Sequence, residues 1–464
     1  MTTAPEEGGS VPTNDVAVTA VVVGAGGAGM MAALVAARRG VDVMLVEKSV
    51  HQQCNTELSG GLVQGAGSRY QQALGIEDSP ERMLGDIMGV NGGKAEESVL
   101  RAICERSAAV VEFLADVVGL EMHLDTTVQY VGHSTNRMHT TPGERGSELV
   151  AGLRRAVHEE RRITFADHAN VQGLRIEDGT VVGIVAGEGG AEKVGAASVC
   201  LSCDGFGGNA EMVARYCPGI SGANYIGSDN NTGDGIRWGI EAGAALDRMS
   251  AYQAHSHINA SFGTRLGGAL PIMGSIMVDG AGRRFAREDQ GYSEFAEVLV
   301  KEAGGEAVEI FDQAIFDMAR QTGSFRDASE AGAIRRGDDV GALAEAFGLD
   351  ADVLADELAD YNDAVRRAKP DRFGRSDLPR TLEPPYHGSR VSAALVHTQG
   401  GLRIDDRCRV LREDRRVIPG LLAAGGTAAG ISGDGPDGYM SGNGLIQAFA
   451  TGMIAGEQLA ALAG

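Results

Sequence analysis

The chain has 464 residues, with 63 acidic and 41 basic side chains and a formal net charge of −22. Such a surface repels nucleic acid and anionic membranes, and no apolar run has the length expected of a bilayer span. Six scattered cysteines imply no disulfide framework, and 68 glycines against 12 prolines point to tight turns and close backbone approaches in a chain of two or three domains.

Residues 1–15 are polar, acidic and Gly/Pro-containing. They lack the basic start and apolar stretch of a signal peptide, so a disordered tail and a cytoplasmic location are expected. Val18–Val23 then runs straight into Gly24-Ala25-Gly26-Gly27-Ala28-Gly29, and Met30–Arg39 is helix-forming. Gly40 ends that helix, Val41–Val46 returns as a strand, and Glu47 closes the unit. This is the βαβ pattern that binds dinucleotides, its acidic residue roughly twenty positions beyond the loop. Gly24 permits the tight turn, Gly26 lets backbone approach a pyrophosphate, and Gly29 lets the helix pack close to the strand. The helix amino end faces the phosphate charge, and Glu47 is placed to accept from a ribose hydroxyl. A lone GxGxxG is weak evidence, because glycine-rich turns are common; here strand, helix and terminal acid agree.

Asn55–Gly61 reads as a loop of small polar residues, and Ser79-Pro80-Glu81 as a capped helix start. Helical patterns cover Glu96–Val118 and Ser147–Arg161, Ile163–Phe165 is a strand, and Val171–Ile176 with Val181–Val185 forms a hairpin. A further strand, Ala197–Cys203, leads into Asp204-Gly205-Phe206-Gly207. Cys200 and Cys203 are formally CxxC, but on a strand alternate residues face opposite sides, so no redox pair is expected. Asn231–Gly235 opens a helix to Ala242. From about Ser250 the character changes: a strand at Ser275–Val278, a turn at Asp279–Gly282, acid-rich helices over Asp338–Arg367, and a rigid return at Pro384-Pro385-Tyr386. His397–Asp405 begins a second strand-and-glycine region that runs through Ile418–Gly426, and a helix over Gly444–Leu462 closes the chain. The expected organisation is α/β: a Rossmann-like nucleotide-binding domain from residues 16–250 and 395–464, with an α+β capping domain inserted at 251–394.

These segments, in this order, resemble the flavoprotein superfamily of fumarate reductase and succinate dehydrogenase flavin subunits, which also contains the 3-ketosteroid dehydrogenases. The marks are Gly24–Glu47, Asn55–Gly61, Gly205-Phe206-Gly207, Thr232-Gly233-Asp234-Gly235, Gly282-Arg283-Arg284-Phe285, Thr398–Leu402 and Pro419-Gly420-Leu421 with Ala424-Gly425. The resemblance covers nearly the whole chain. It implies FAD in a domain of the glutathione-reductase type, a cap that closes over the flavin, and chemistry on a carbon–carbon bond beside an electron-withdrawing group. It assigns the cofactor to Gly24, Gly26, Gly27, Ala28, Gly29, Glu47, Lys48, Asn55, Thr56, Ser59, Gly60, Gly61, Val171, Asp204, Gly205, Asn231, Asp234, Gly425, Gly426, Gly444 and Leu445. Two departures matter. Some relatives attach flavin covalently through a His near the Asn55–Gly61 position; Cys54 and Asn55 stand there and His51 is the nearest His, so noncovalent FAD is expected. The usual Ala-Gly-Glu ends here in Gly426, so one flavin contact must be replaced.

Two further departures concern substrate. Fumarate reductases deliver a proton from an Arg a few residues past their Arg-Phe-x-x-Glu motif; counting from Arg284-Phe285-Ala286-Arg287-Glu288, that position is Tyr292. Their terminal substrate-binding Arg is also missing, since no Arg occurs from Val417 to Gly464. A dicarboxylate then loses a bidentate clamp. Gly438-Tyr439-Met440-Ser441-Gly442 is similar instead to the Gly-Tyr-x-Ser-Gly signature of ketosteroid 4-ene dehydrogenases, where Tyr and Ser face the ring ketone. Desaturating a ketone removes a proton beside the carbonyl and a hydride from the next carbon, and the enolate-like oxygen needs donors placed in advance. Tyr439 and a glycine N–H such as that of Gly442 suit that task, and Tyr292, as a phenol of lowered pKa, suits the base, with Ser441 assisting. His255 and His397 match substrate-facing histidines of the reductases. Each candidate has an ordinary reading beside it: Tyr292 on the cap surface, Ser441 capping the last helix, and both histidines as satisfied structural groups. His257 lies close to His255, yet no ligand set completes a zinc site, so no metal is expected.

The resulting expectation is an FAD-dependent dehydrogenase that introduces a double bond α,β to a ketone, such as a 3-ketosteroid. An external carrier or quinone takes the electrons, because one dinucleotide fingerprint is visible. The enzymatic alternative is a reductase of an unsaturated acid, favoured by His255 and His397 and opposed by Tyr292 and the missing terminal Arg. A flavin subunit that only transfers electrons is opposed by the intact cap segment.

Overall fold

A computed structural model describes residues 16–127 and 129–464; the tail expected at 1–15 lies outside them. Strand β1 (Val16–Val23) is rich in β-branched residues and ends in four buried positions, as suits a central parallel strand. Helix α1 (Gly27–Arg38) starts already at Gly27, earlier than its apolar pattern, and is buried from Gly27 to Ala37. Strand β2 (Val43–Val46) follows. Asn55–Leu58, expected as loop, is a helical turn, α2. Then come α3 (Glu97–Asp116), β3 (Ile163–Ala166), the antiparallel hairpin β4 (Val171–Glu177) and β5 (Thr180–Ala186), β6 (Glu192–Leu201), longer than its apolar stretch suggested, and α4 (Asp234–Glu241).

The second half opens with β7 (Tyr252–Asn259), β8 (Thr264–Arg265) and β9 (Ile276–Val278), followed by α5 (Glu294–Ala303), β10 (Glu306–Asp312) and α6 (Ala351–Arg367). Strand β11 (Tyr386–Thr398) runs unbroken across residue 394, where a domain seam was expected. The chain returns through β12 (Arg409–Leu411) and β13 (Val417–Ala423) and ends in α7 (Asn443–Ala463).

Two sheets result. The first has the order β12-β13-β6-β1-β2-β3, with the β4–β5 hairpin joined to β6. Its central pairings are parallel, Val22 standing beside Leu45 on one side and Cys200 on the other. Strands from both ends of the chain therefore meet in one sheet, and α7 packs along α1. The second sheet has the order β8-β7-β11-β10-β9 and is antiparallel along that path. A two-residue strand at Asn224–Tyr225 pairs parallel to β11, so the segment before residue 250 also reaches this sheet.

The Arg-Phe motif is a buried ionic knot. Arg284 makes paired bonds to Glu288 of 2.9 and 2.8 Å and one of 2.7 Å to Asp371. Arg375 adds a 2.8 Å bond to the same Glu288, which also accepts from the Met277 N–H at 3.1 Å. This knot ties the segment leading to Tyr292 onto β9. The expectation of no span-length apolar run meets one exception among the described residues. Helix α7 has the length and composition of a span, but 61% of its most apolar window is buried, against α1 and α3.

Candidate active site

A cleft of about 940 Å³ runs along the carboxyl ends of β1, β2 and β6, the place where open α/β sheets bind ligands. The turn after β1 explains why. Gly24 has φ +99°, and a Cβ there would stand 2.4 Å from the Ser202 carbonyl oxygen. A Cβ on Gly29 would reach 1.8 Å from the Gly24 oxygen, so the helix lies directly on the turn. At Gly26 the same Cβ meets nothing closer than 4.0 Å, where the backbone faces open cleft. Gly26 also caps α1 with no side chain bonded to the first-turn amides, which leaves those N–H groups for an anion. The residues present thus fit a pyrophosphate-bearing dinucleotide.

Of the expected cofactor residues, Gly24, Gly26, Gly27, Ala28, Glu47, Lys48, Asn55, Thr56, Val171, Asp204, Asn231, Asp234, Gly425 and Gly426 line this cleft. Gly29, Ser59, Gly60, Gly61, Gly205, Gly444 and Leu445 do not. Gly61 instead packs on Arg145, where a Cβ would come 2.8 Å from its backbone carbon, and Gly205 packs on Thr398, at 2.2 Å from the hydroxyl. Glu47 does more than wait for a ribose: its carboxylate accepts from the Ala25 N–H at 2.8 Å and the Ser49 N–H at 3.0 Å, with lone pairs left over. Lys48 is tied to the Asn230 carbonyl at 2.6 Å and to Asp234 at 3.1 Å, bracing one wall. Cys54, Arg154, Asn170, Ser202, Ser228 and Trp238 also line the cleft and were not foreseen; as isolated side chains they carry no motif.

Gly426 has a local explanation. A Cβ there would lie 2.3 Å from the Asp204 Oδ1. The Asp204 carboxylate, held in the left-handed region at φ +62° and bonded by the Gly205 N–H at 2.7 Å, fills the space beside Gly426. Burial pushes the Asp204 pKa up and that of neighbouring His397 down.

A second cluster joins the two sheets. Tyr292 stacks obliquely on His255, centroids 4.8 Å apart. His397 meets Tyr439 edge-on at 5.8 Å. Gly444 packs against that last pair: a Cβ on it would stand 3.0 Å from the His397 Nε2 and 3.6 Å from the Tyr439 hydroxyl. Gly442 begins α7 in the left-handed conformation, a Cβ there reaching 2.9 Å from Gln64 and Met138. The Ser441 carbonyl accepts from Gln64 at 3.0 Å and takes the His133 Nε2 at 3.1 Å, which fixes the segment. The Gln253 amide donates to the Tyr292 oxygen at 3.4 Å, and the Ser441 side chain lies near enough to lower that phenol's pKa. Ser441 does not cap α7 by its side chain.

The electrostatics correct one expectation. Burial raises the Tyr292 phenol against the smaller lowering by Ser441, Gln253 and the Arg265 charge. Burial and Tyr292 raise Tyr439 further. Neither is the phenol of lowered pKa expected of a resting base; both stand protonated. Burial, with Arg265 and His257 beside it, pushes His255 well down. Its Nδ1 accepts from the His257 N–H at 3.1 Å, so the neutral ring carries its proton on Nε2. His257 is the structural one of the pair, bonded to buried Glu309 at 2.8 Å. Cys200 and Cys203 are both free thiols, and burial pushes Cys200 up to about 12 and Cys203 higher. Gln64, His133 and Arg265 were missed because no motif surrounds them, and Gln253 because the Tyr252–His255 stretch was read for its histidine alone.

Comparison with known proteins agrees with this architecture. The family model described as FAD binding domain matches residues 19–444. A probable fumarate reductase, Ifc3, of Shewanella frigidimarina is 31% identical over 447 residues, covering 95% of this chain and 74% of that protein. The open conformation of a flavocytochrome c3 fumarate reductase superposes with a TM-score of 0.84 at 30% identity, covering 97% of this chain and 79% of the other. The 3-ketosteroid-delta4-(5alpha)-dehydrogenase of Rhodococcus jostii RHA1 does so at 0.76 and 25% identity, covering 96% and 97%. With a dinucleotide cleft on the sheet edge and a protonated tyrosine cluster beside it, the chain belongs to the FAD binding domain family of flavoproteins and is an FAD-dependent oxidoreductase acting on carbon–carbon bonds.

Proposed function

We propose that the protein reduces a carbon–carbon double bond conjugated to a carbonyl, with Tyr292 as the proton donor and FAD held noncovalently. FAD, when bound, supplies the hydride at its ring nitrogen. The observation that carries the reading is the state of Tyr292: a phenol kept protonated by burial, whose oxygen accepts from Gln253 with the Ser441 side chain beside it. Those groups leave the phenol proton free to point at substrate and then stabilise the phenolate that remains. His255 holds the ring in place, and its Nε2–H is free to bond a substrate oxygen. Tyr439 and His397 stand across the site as a second, uncharged pair of groups for the polar end of the substrate. The greater likeness to fumarate reductases favours the reductive direction over the ketone desaturation first expected. Electrons come from an external carrier.

Ketone desaturation remains the second reading, favoured by Tyr439 standing in a terminal segment without arginine. One anaerobic experiment separates them. Dye-reduced flavin reoxidised by an α,β-unsaturated acid or enone, and lost in Tyr292→Phe, supports the reductase. Bleaching of oxidised flavin by a saturated cyclic 3-ketone, with no reoxidation by unsaturated compounds, sinks it.

A further inference from the structure

Arg265 is out of keeping with the rest of the chain. Among the described residues, every other buried or half-buried arginine reaches a carboxylate or a backbone carbonyl. Half-buried Arg265 reaches neither, in a protein with 63 acidic side chains available. Holding a guanidinium partly out of water without a counter-charge is unfavourable, and Arg265 is not at a random place. It lies on β8, opposite Ile258 of the strand that carries His255. The next residue, Leu266, donates its N–H to the His257 carbonyl at 3.0 Å. Three positions on, Gly268 packs so tightly against Tyr292 that a Cβ would fall 2.7 Å from the ring. The strand and its turn therefore wrap the Tyr292–His255 stack. The Arg265 charge is felt on His255, Tyr292 and Tyr439 alike. Glu294 also acts on Tyr292 but makes no ion pair with Arg265.

We propose that Arg265 binds a carboxylate of the substrate from the cap side of the site, taking over the anion contact for which the final segment has no arginine. The inference rests on the reading of Tyr292 as proton donor. It narrows the substrate to an unsaturated monocarboxylate: one anionic end at Arg265 and an uncharged end at Tyr439 and His397. A second carboxylate would face two protonated phenols and a neutral imidazole, without a cation.

The test is a binding titration of the FAD-loaded protein, read by perturbation of the flavin absorption band. The probes are cyclohex-1-enecarboxylate and its methyl ester. The wild-type chain is expected to bind the acid more tightly than the ester. Arg265→Gln is expected to weaken the acid about 10- to 100-fold, the range of a charge-assisted hydrogen bond, and to leave the ester unchanged; Arg265→Lys recovers part of the loss. Equal weakening of acid and ester in Arg265→Gln, unchanged affinity for the acid, or a wild-type chain that binds no acid overturns the proposal. Failure of the underlying reading shows separately, as an acid that binds through Arg265 yet does not reoxidise dye-reduced flavin.

Discussion

The rings of His255 and Tyr292 lie 4.8 Å apart and 30° from parallel, one carried by β7 and the other by the segment that Glu288 ties to β9. The stack places an uncharged imidazole against a protonated phenol, so neither ring presents a fixed charge to the substrate. The positive charge that both rings feel is that of Arg265.

Tyr292→Phe tests the phenol directly. The ring and its stack survive and only the hydroxyl is lost. Reduction of an activated double bond is expected to slow by about 10²- to 10⁴-fold, the usual weight of a positioned acid, with flavin content unchanged. Because burial raises the phenol above the ordinary value of about 10, the wild-type rate should show no loss from Tyr292 ionisation up to about pH 9. Rapid-mixing rates across pH check both points.

Gly426→Ala places a methyl against the Asp204 carboxylate, 2.3 Å from Oδ1. Loss of bound flavin is expected, measured as the ratio of flavin to protein absorbance after gel filtration. Asp204→Gly in the same chain removes both the clash and a non-glycine residue at φ +62°, and should restore part of the flavin. No restoration would place the damage elsewhere.

Glu288→Gln removes the carboxylate shared by Arg284 and Arg375. Arg284 then keeps Asp371 alone and the Arg375 guanidinium keeps only backbone carbonyls such as that of Ser275, and breaking a buried pair in this way costs about 3–5 kcal/mol. The expected result is a melting temperature lowered by several degrees. An unchanged melting temperature would mean that the knot is solvated.

Acid should weaken the fold through two histidines. Burial pushes His133 and His139 each down to about 4, against about 6.5 in the unfolded chain. As pH falls the unfolded state takes up these protons first. Their contribution is therefore complete above about pH 6.5 and is lost as pH drops toward 4. Urea midpoints at pH 7.5 and 5 should differ accordingly, and Asp371, held low by Arg284 despite its burial, adds its own loss only below the ordinary carboxylate range. Identical midpoints at the two pH values would contradict this account.

The nucleotide half was legible because its chemistry is backbone chemistry. Gly24, Gly26 and Gly29 are dictated by turn, approach and packing, and each has a different neighbour in space. Glu47 was read as an acceptor for a ribose hydroxyl and not as a brace for Ala25 and Ser49, since a carboxylate's second bond depends on a turn not visible in sequence. The substrate half was legible only where a motif gave a count, as at Tyr292 and Tyr439. Their protonation state was not, because burial arises when β7, β11 and the start of α7 converge. Arg265 escaped altogether: what distinguishes it is the carboxylate it lacks, and only three-dimensional neighbours reveal a missing partner.

The first sheet places β13 beside β6 and β6 beside β1, and α7 lies along α1. During synthesis, then, the phosphate-binding turn emerges well before β13 and α7, which complete its sheet and cover its helix. The intervening cap segment can close its own sheet while the cradle is still half built. Cofactor capture is therefore expected to follow the docking of α7 on α1, and a chain in which that helix has not docked should be flavin-free.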